Sequence, residues 1–138
     1  DAHKDLVANH EKMCGMTDAP IAGLLKDLKS RGLLDSTLVI WHGEFGRLPI
    51  SQRMSGRDHN PHGFTVWMAG GGIKGGTVYG ETDDYCYNVV RDPVHIHDLN
   101  ATALHLLGLD HEQLTFEHNG IRRRLTNVEG HVIREILA

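Results

Sequence analysis

Residues 41 to 63, "WHGEFGRLPISQRMSGRDHNPHG", concentrate side chains that do chemistry. The segment carries Glu44, Asp58, His42, His59 and His62, with Arg47, Arg53 and Arg57. Glycines and prolines are interspersed, so it reads as a polar loop rather than a regular element. Together with Asp1 and His3 of the leading "DAH", Glu44, His59 and His62 offer oxygen and imidazole ligands. Such donors suit zinc, manganese or iron, and carboxylates extend the choice to calcium and magnesium. A divalent ion held there would polarise a phosphoryl or sulfuryl oxygen, or lower the pKa of a bound water. The arginines can pair with an anionic ester. The plain alternatives are that His59 and His62 are solvated, that Glu44 and Arg47 form an i,i+3 pair in a helical turn, and that His3 frays with the terminus.

Other polar groups read less sharply. "GGGIKGG", residues 70 to 76, lacks the Gly-Lys-Ser/Thr ending of a phosphate loop and is better explained as a turn whose glycines take φ > 0. His95 and His97 flank a helix start, with Asp92 near and Asp98 placed to cap. His105 sits within that helix and His111 just after it, while His118 and His131 show no partner by spacing. The "RRR" run at 122 to 124 reads as a solvated edge that discourages strand pairing.

These groups must be positioned by a chain of 138 residues, a length that implies one domain. Hydrophobic content of 40% and charged content of 23% are ordinary for a globular protein, and a net charge of −4 argues against nucleic acid as the partner. The eleven histidines are many for this length. Cys14 and Cys86 are too few for a disulfide scaffold or a cysteine-rich zinc site. No apolar run approaches the ~20 residues of a membrane span.

Residues 17 to 31 predict an amphipathic helix with Ile21, Leu24, Leu25 and Leu28 on one face, capped by Thr17 or Asp18, with Pro20 in its first turn and Gly32 at its stop. Residues 4 to 16 form a preceding turn or an extension of that helix. "STLVIW", 36 to 41, and "FTVWMAG", 64 to 70, predict strands covered on both faces, and the polar loop joins them. "TVYGET" predicts a short edge strand or turn. A second helix is expected over 96 to 107, burying Ile96, Leu99, Ala103, Leu106 and Leu107 and ended by Gly108. A hairpin is expected around Asn119-Gly120, and a short terminal helix in "EGHVIREILA". This alternation indicates an α/β domain, in which ligands bind beyond the carboxyl ends of the strands.

Several segments, taken in order, carry a resemblance: "DAH", "LLKDLKSRGLLDSTLVIWHGEFGRLP", "GRDHNPHGFTVWMAGGGIKGG", "HIHDLNATALHLLGLDHEQLTF" and "LTNVEGHVIREILA". Together they resemble the C-terminal part of the sulfatase-like proteins in domain-of-unknown-function family 1501, within the alkaline phosphatase superfamily. The resemblance spans nearly the whole chain. It implies a three-layer α/β fold, a mostly parallel sheet with flanking helices, of which residues 1 to 138 are the C-terminal portion. It also implies a divalent metal (zinc, calcium or manganese) at the carboxyl ends of the strands. Asp1 and His3 resemble one ligand segment. "WHGEFG" stands where the superfamily has an Asp-His-Gly turn, so Glu44 resembles the Asp and Phe45 replaces the His. His59 fits the ligand ahead of the next strand, with His62 a near competitor.

Phe45 cannot ligate a metal, and the superfamily's Ser, Thr or formylglycine nucleophile has no counterpart: neither cysteine lies in a Cys-x-Pro-x-Arg pattern. The resemblance therefore implies part of a metal-dependent hydrolase of sulfate or phosphate esters, inactive or nearly so on its own. Asp1, His3, Glu44 and His59 are its expected metal ligands, and His62 and Arg57 the groups that orient substrate or move protons. The expected partners are sulfated or phosphorylated small molecules or glycans, without nucleic acid or a membrane span, and with self-association through exposed sheet edges. The resemblance suggests an exported or periplasmic protein. The competing expectation is a non-catalytic domain that binds an anionic glycan or a partner protein.

Overall fold

The computed structural model describes residues 3–52 and 55–138; Asp1 and Arg53, two candidates for the polar site, lie outside the described residues. The chain opens with helix α1 (Leu6–Ser30), 25 residues long. The helix expected from residue 17 thus extends back by three turns. Thr17 lies inside it rather than capping it, with its hydroxyl donating to the Met13 carbonyl at 2.9 Å. Pro20 is likewise interior. The stop is as expected and its chemistry is local: Gly32 takes φ 68°, its N–H reaches the Lys29 carbonyl at 3.2 Å, and the Leu33 N–H reaches Leu28 at 2.9 Å. Those two bonds satisfy carbonyls that a helix end leaves open.

Eight short strands follow: β1 (Val39–Trp41), β2 (Gly46–Arg47), β3 (His59–Asn60), β4 (Trp67–Ala69), β5 (Glu81–Thr82), β6 (Val89–Arg91), β7 (Thr115–His118) and β8 (Ile121–Arg124). Helix α2 (Ile96–Leu106) lies between β6 and β7. The described strands pair as β1–β4, β2–β3, β5–β6 and β7–β8, every pair antiparallel and two-stranded. The chain is therefore mixed α/β, but the expected three-layer sheet with parallel strands is not formed among the described residues. Parallel pairing needs crossover connections; here three pairs join strands consecutive in sequence and β1 meets β4 across the β2–β3 pair, all antiparallel.

The two apolar runs do become strands, β1 and β4, with Val39 opposite Ala69 and Trp41 opposite Trp67. They are not covered on both faces as expected, since Trp41 is 50% exposed and Trp67 39%. An apolar run reports what a strand would bury, not whether anything is there to cover it. The glycine run is a turn, as expected: Gly70, Gly71 and Gly72 take φ 69°, 53° and 88°. A Cβ at Gly70 would collide with the carbonyls of Leu34 and Thr37. The Asn119-Gly120 hairpin also forms, with φ 52° and 73° at the two turn residues, as a two-residue hairpin turn of this type requires.

The best-packed region surrounds α2. Leu99, Ala101 and Ile133 are its buried apolar side chains, and Thr102, His111 and Thr126 are buried polar ones. The buried face of α2 is not the expected one. Leu99 is buried, but Ile96 is exposed and Leu107 is 67% exposed, because residues 126 to 133 cover the Leu99–Thr102 side instead. Asp98 caps α2 as expected: its Oδ2 accepts from the His95 N–H at 2.8 Å, while His95 Nδ1 accepts from the His97 N–H at 3.2 Å. The expected terminal helix is only a single 3₁₀ turn, Arg134–Ile136. Its amides are taken elsewhere: His131 N–H by Asp98 at 2.8 Å, Ile133 N–H by the Thr102 hydroxyl at 2.9 Å, and Ala138 N–H by Gly72 at 2.9 Å. Backbone donors used this way cannot build an i→i−4 ladder.

Candidate metal site around His3 and His59

Two histidines separated by 56 positions in sequence meet at the polar loop: His3 Nε2 and His59 Nε2 are 2.9 Å apart. The start of α1 brings His3 there. The Leu6 N–H donates to the Ser55 carbonyl at 2.8 Å, and the Asp5 N–H to the Ser55 hydroxyl at 3.1 Å. His59 is presented by β3, where Arg47 faces His59 and Gly46 faces Asn60. The ladder continues outward, with the Leu48 N–H on Asp58 at 2.9 Å and the Asp58 N–H on Ile50 at 3.1 Å. Only glycine fits at position 46, because a Cβ there would strike the Gly63 carbonyl.

The His59 ring stacks on Phe45, with centroids 3.8 Å apart and planes at 25°, and the Arg47 guanidinium carbon lies 5.4 Å from the Phe45 ring centre. Phe45 offers no donor atom and holds the imidazole flat by stacking instead. Asp58 Oδ1 stands 3.6 Å from His3 Nδ1, and its Oδ2 accepts from the Gln52 N–H at 2.9 Å. A carboxylate beside one imidazole nitrogen is the arrangement common behind metal-bound histidines. Partial desolvation, aided by the positive charges of Arg47 and His3, pulls the His59 pKa below its ordinary value; Glu44 and Asp58 pull the other way. His59 is therefore held toward its neutral, ligating form.

Of the expected ligands, His3 and His59 are brought together, Glu44 is exposed but acts on His59 through its charge, and Asp1 lies outside the described residues. Glu44 and Arg47 do not share a helical turn, since Gly46–Arg47 is strand β2. Arg57 is half-buried with Nη1 on the Gly56 carbonyl at 2.7 Å, and its own carbonyl accepts from Arg47 Nη1 at 3.1 Å. His62 is exposed, its N–H on the Asn60 side-chain oxygen at 2.9 Å. A cleft of about 300 Å³ is lined by Phe45, Arg47, Phe64, Thr82 and Cys86, among others.

Asn60 escaped the sequence reading. It is fully buried, and its amide donates to the carbonyls of Cys86 at 2.8 Å and Tyr87 at 3.1 Å while its oxygen holds His62. That loop is shaped in turn by Asp83, whose carboxylate accepts from the amides of Tyr85 at 3.1 Å, Tyr87 at 2.8 Å and Asn88 at 2.9 Å. An Asn beside a Pro in a polar loop predicts a turn; its grip on residues 26 and 27 positions away leaves no local signature.

A family model described as a protein of unknown function, DUF1501, matches residues 1–137. The chain belongs to the DUF1501 family. No curated protein and no solved structure matches this DUF1501 chain. Among the described residues, no helix is long and apolar enough to cross a membrane.

Proposed function

We propose that this DUF1501 chain supplies the metal-binding side of a sulfatase-like hydrolase site of the alkaline phosphatase superfamily, acting on sulfate or phosphate esters. The observation that carries the reading is the meeting of His3 and His59, with Asp58 behind one ring and Glu44 within electrostatic reach of the other. Two imidazole nitrogens meeting are a partial donor set for a divalent ion of the zinc or manganese kind, and the further ligands, Asp1 and Glu44, are proposed to complete it. Nitrogens sharing a zinc stand about 3.4 Å apart for bonds near 2.1 Å, so their present hydrogen bond would give way to the ion with a small opening. When bound, the ion would polarise an ester oxygen or lower the pKa of a water. The chain's own residues would do the rest. Asp58 orients His3, Phe45 fixes the plane of His59, and Arg47 adds positive charge where an anionic ester would lie. Arg57 and His62 are proposed to orient substrate or move protons from the same loop. The nucleophile and the remainder of the three-layer sheet are proposed to come from outside these residues, leaving the isolated chain with little turnover.

Phe45 favours a second reading, a non-catalytic domain that binds an anionic glycan or a partner protein, since it stands where the superfamily places a ligand. Metal content separates the two. Elemental analysis of the purified chain should find a stoichiometric divalent metal at this site, lost in His59→Ala. Equal metal content in both proteins would sink the hydrolase reading in favour of the binding domain.

A further inference from the structure

We infer that His95, His97 and Glu129 form a second divalent-metal site, selective for zinc-class transition ions, that fastens the start of α2 to the turn after β8. A ring nitrogen from each histidine and a carboxylate oxygen of Glu129 lie within 4.8 Å of one another. His95 Nδ1 is 3.6 Å from Glu129 Oε2, and the two imidazole rings have centroids 4.9 Å apart. Ligands around a tetrahedral zinc stand roughly 3.4 Å apart, so small side-chain rotations suffice. Two imidazoles with one carboxylate is the donor set of three-ligand zinc sites and disfavours calcium or magnesium, which take oxygen.

A second observation points the same way. Among the described residues, His97 Nδ1 is the one buried side-chain nitrogen or oxygen with no hydrogen-bond partner. Orphans of this kind are rare and call for an ion or a water. No existing bond need break for a metal to bind at that nitrogen. At His95 the exchange is different: coordination through Nδ1 would take the lone pair that now accepts from the His97 N–H, while Asp98 keeps its half of the cap.

The cluster is held in place. Gly130, at φ 99°, packs so closely that a Cβ would come 3.1 Å from the His97 carbonyl and 2.9 Å from the Thr126 Cβ. Thr126 is fully buried on His111, with Oγ1 to Nδ1 at 3.0 Å, and the Glu129 N–H returns to the Thr126 carbonyl at 3.2 Å. The backbone around Glu129 is thereby held against the start of α2 at Gly130 and on His111 through Thr126, so the ligands need little ordering on binding.

The test uses His59→Ala, which removes the first site's shared imidazole, as the parent protein. Zinc, and cobalt as its spectroscopic stand-in, are titrated by calorimetry and visible absorption. The parent should bind one equivalent and melt at a higher temperature with zinc present. Adding Glu129→Gln, or His95→Asn, which retains a capping side chain, should weaken binding at least tenfold with the circular dichroism unchanged. In the unsubstituted chain, zinc should shield His95 from carbethoxylation, read by peptide mass mapping, so the outcome does not depend on a variant folding. No binding by the parent, binding unaffected by both added substitutions, or no shielding of His95 would each overturn the proposal. A parent that binds zinc while the His59→Ala change costs no metal would overturn the hydrolase reading and leave this one standing.

Discussion

At the scale of single residues, the most informative side chain is Asp58. Its two oxygens do different work, one facing the His3 ring and one tied to the Gln52 amide. Asp58→Asn keeps the shape but removes the charge beside His3 Nδ1. Zinc affinity at the first site should fall about 10- to 100-fold, measured by competition with a chelating dye; unchanged affinity would mean that Asp58 orients nothing. Asn60 makes a different claim. Two of its three bonds join the His59 strand to the loop after β5 and the third holds the His62 amide, so Asn60→Ala should cost about 2 kcal/mol in urea unfolding, because buried partners are left unsatisfied. Sequence reading identified His3 and His59 by type and by resemblance, but not Asp58's role or Asn60's. Ligand chemistry is written in residue type, whereas an orienting contact depends on where distant backbone arrives.

At the scale of elements, legibility followed locality. The Gly32 stop, the Asp98 cap, the Asn119-Gly120 hairpin and the turning glycines at 70 to 72 are settled within a few residues of themselves, and each was readable. The terminal segment was misread because its apolar spacing suited a helix while its amides were already taken by Asp98, Thr102 and Gly72. The loop after β5 allows a pH test. Hydrogen bonds from the Tyr87, Asn88 and Tyr85 amides hold the Asp83 carboxyl below its ordinary value, against some desolvation. A depressed folded-state pKa contributes stability that is present above the unfolded value and lost as pH falls through the folded one. The amide resonances of Tyr85, Tyr87 and Asn88 should therefore move together in acid, below the normal carboxylate range, and Asp83→Asn should abolish that transition. Independent titration of the three amides would show that the carboxylate does not organise the loop.

At the scale of the whole molecule, the surface is the dominant fact. The chain exposes 10036 Å², whereas a folded monomer of 15.4 kDa is expected to expose about 7,200 Å². Trp41, Trp67, Phe64, Leu33 and Met16 are among the large apolar side chains left in solvent, and no residue of α1 is buried. Exposure on that scale, with two-stranded sheets whose edges are open, invites association. Light scattering of the isolated chain should show oligomers that grow with concentration; a monodisperse monomer at high concentration would contradict this. The resemblance implied exposed sheet edges, but composition did not announce the apolar excess: its 40% apolar content is enough for an ordinary core and does not say which faces of the short strands find cover.

The contact between His3 and His59 has a topological side as well. It closes a ring of chain that contains all of α1 together with β1 and β2, and it is the end of the helix, not its middle, that makes the closure. An ion shared by the two imidazoles would act as a reversible clasp on that ring. Permanent links around loops of comparable size remove roughly 4 kcal/mol of unfolded-chain entropy; a clasp that opens on chelation makes the same constraint conditional. The bonds from Leu6 and Asp5 to Ser55 already hold the start of the long helix, so the ion would turn a hydrogen-bonded contact into a clasp that metal supply tightens or releases.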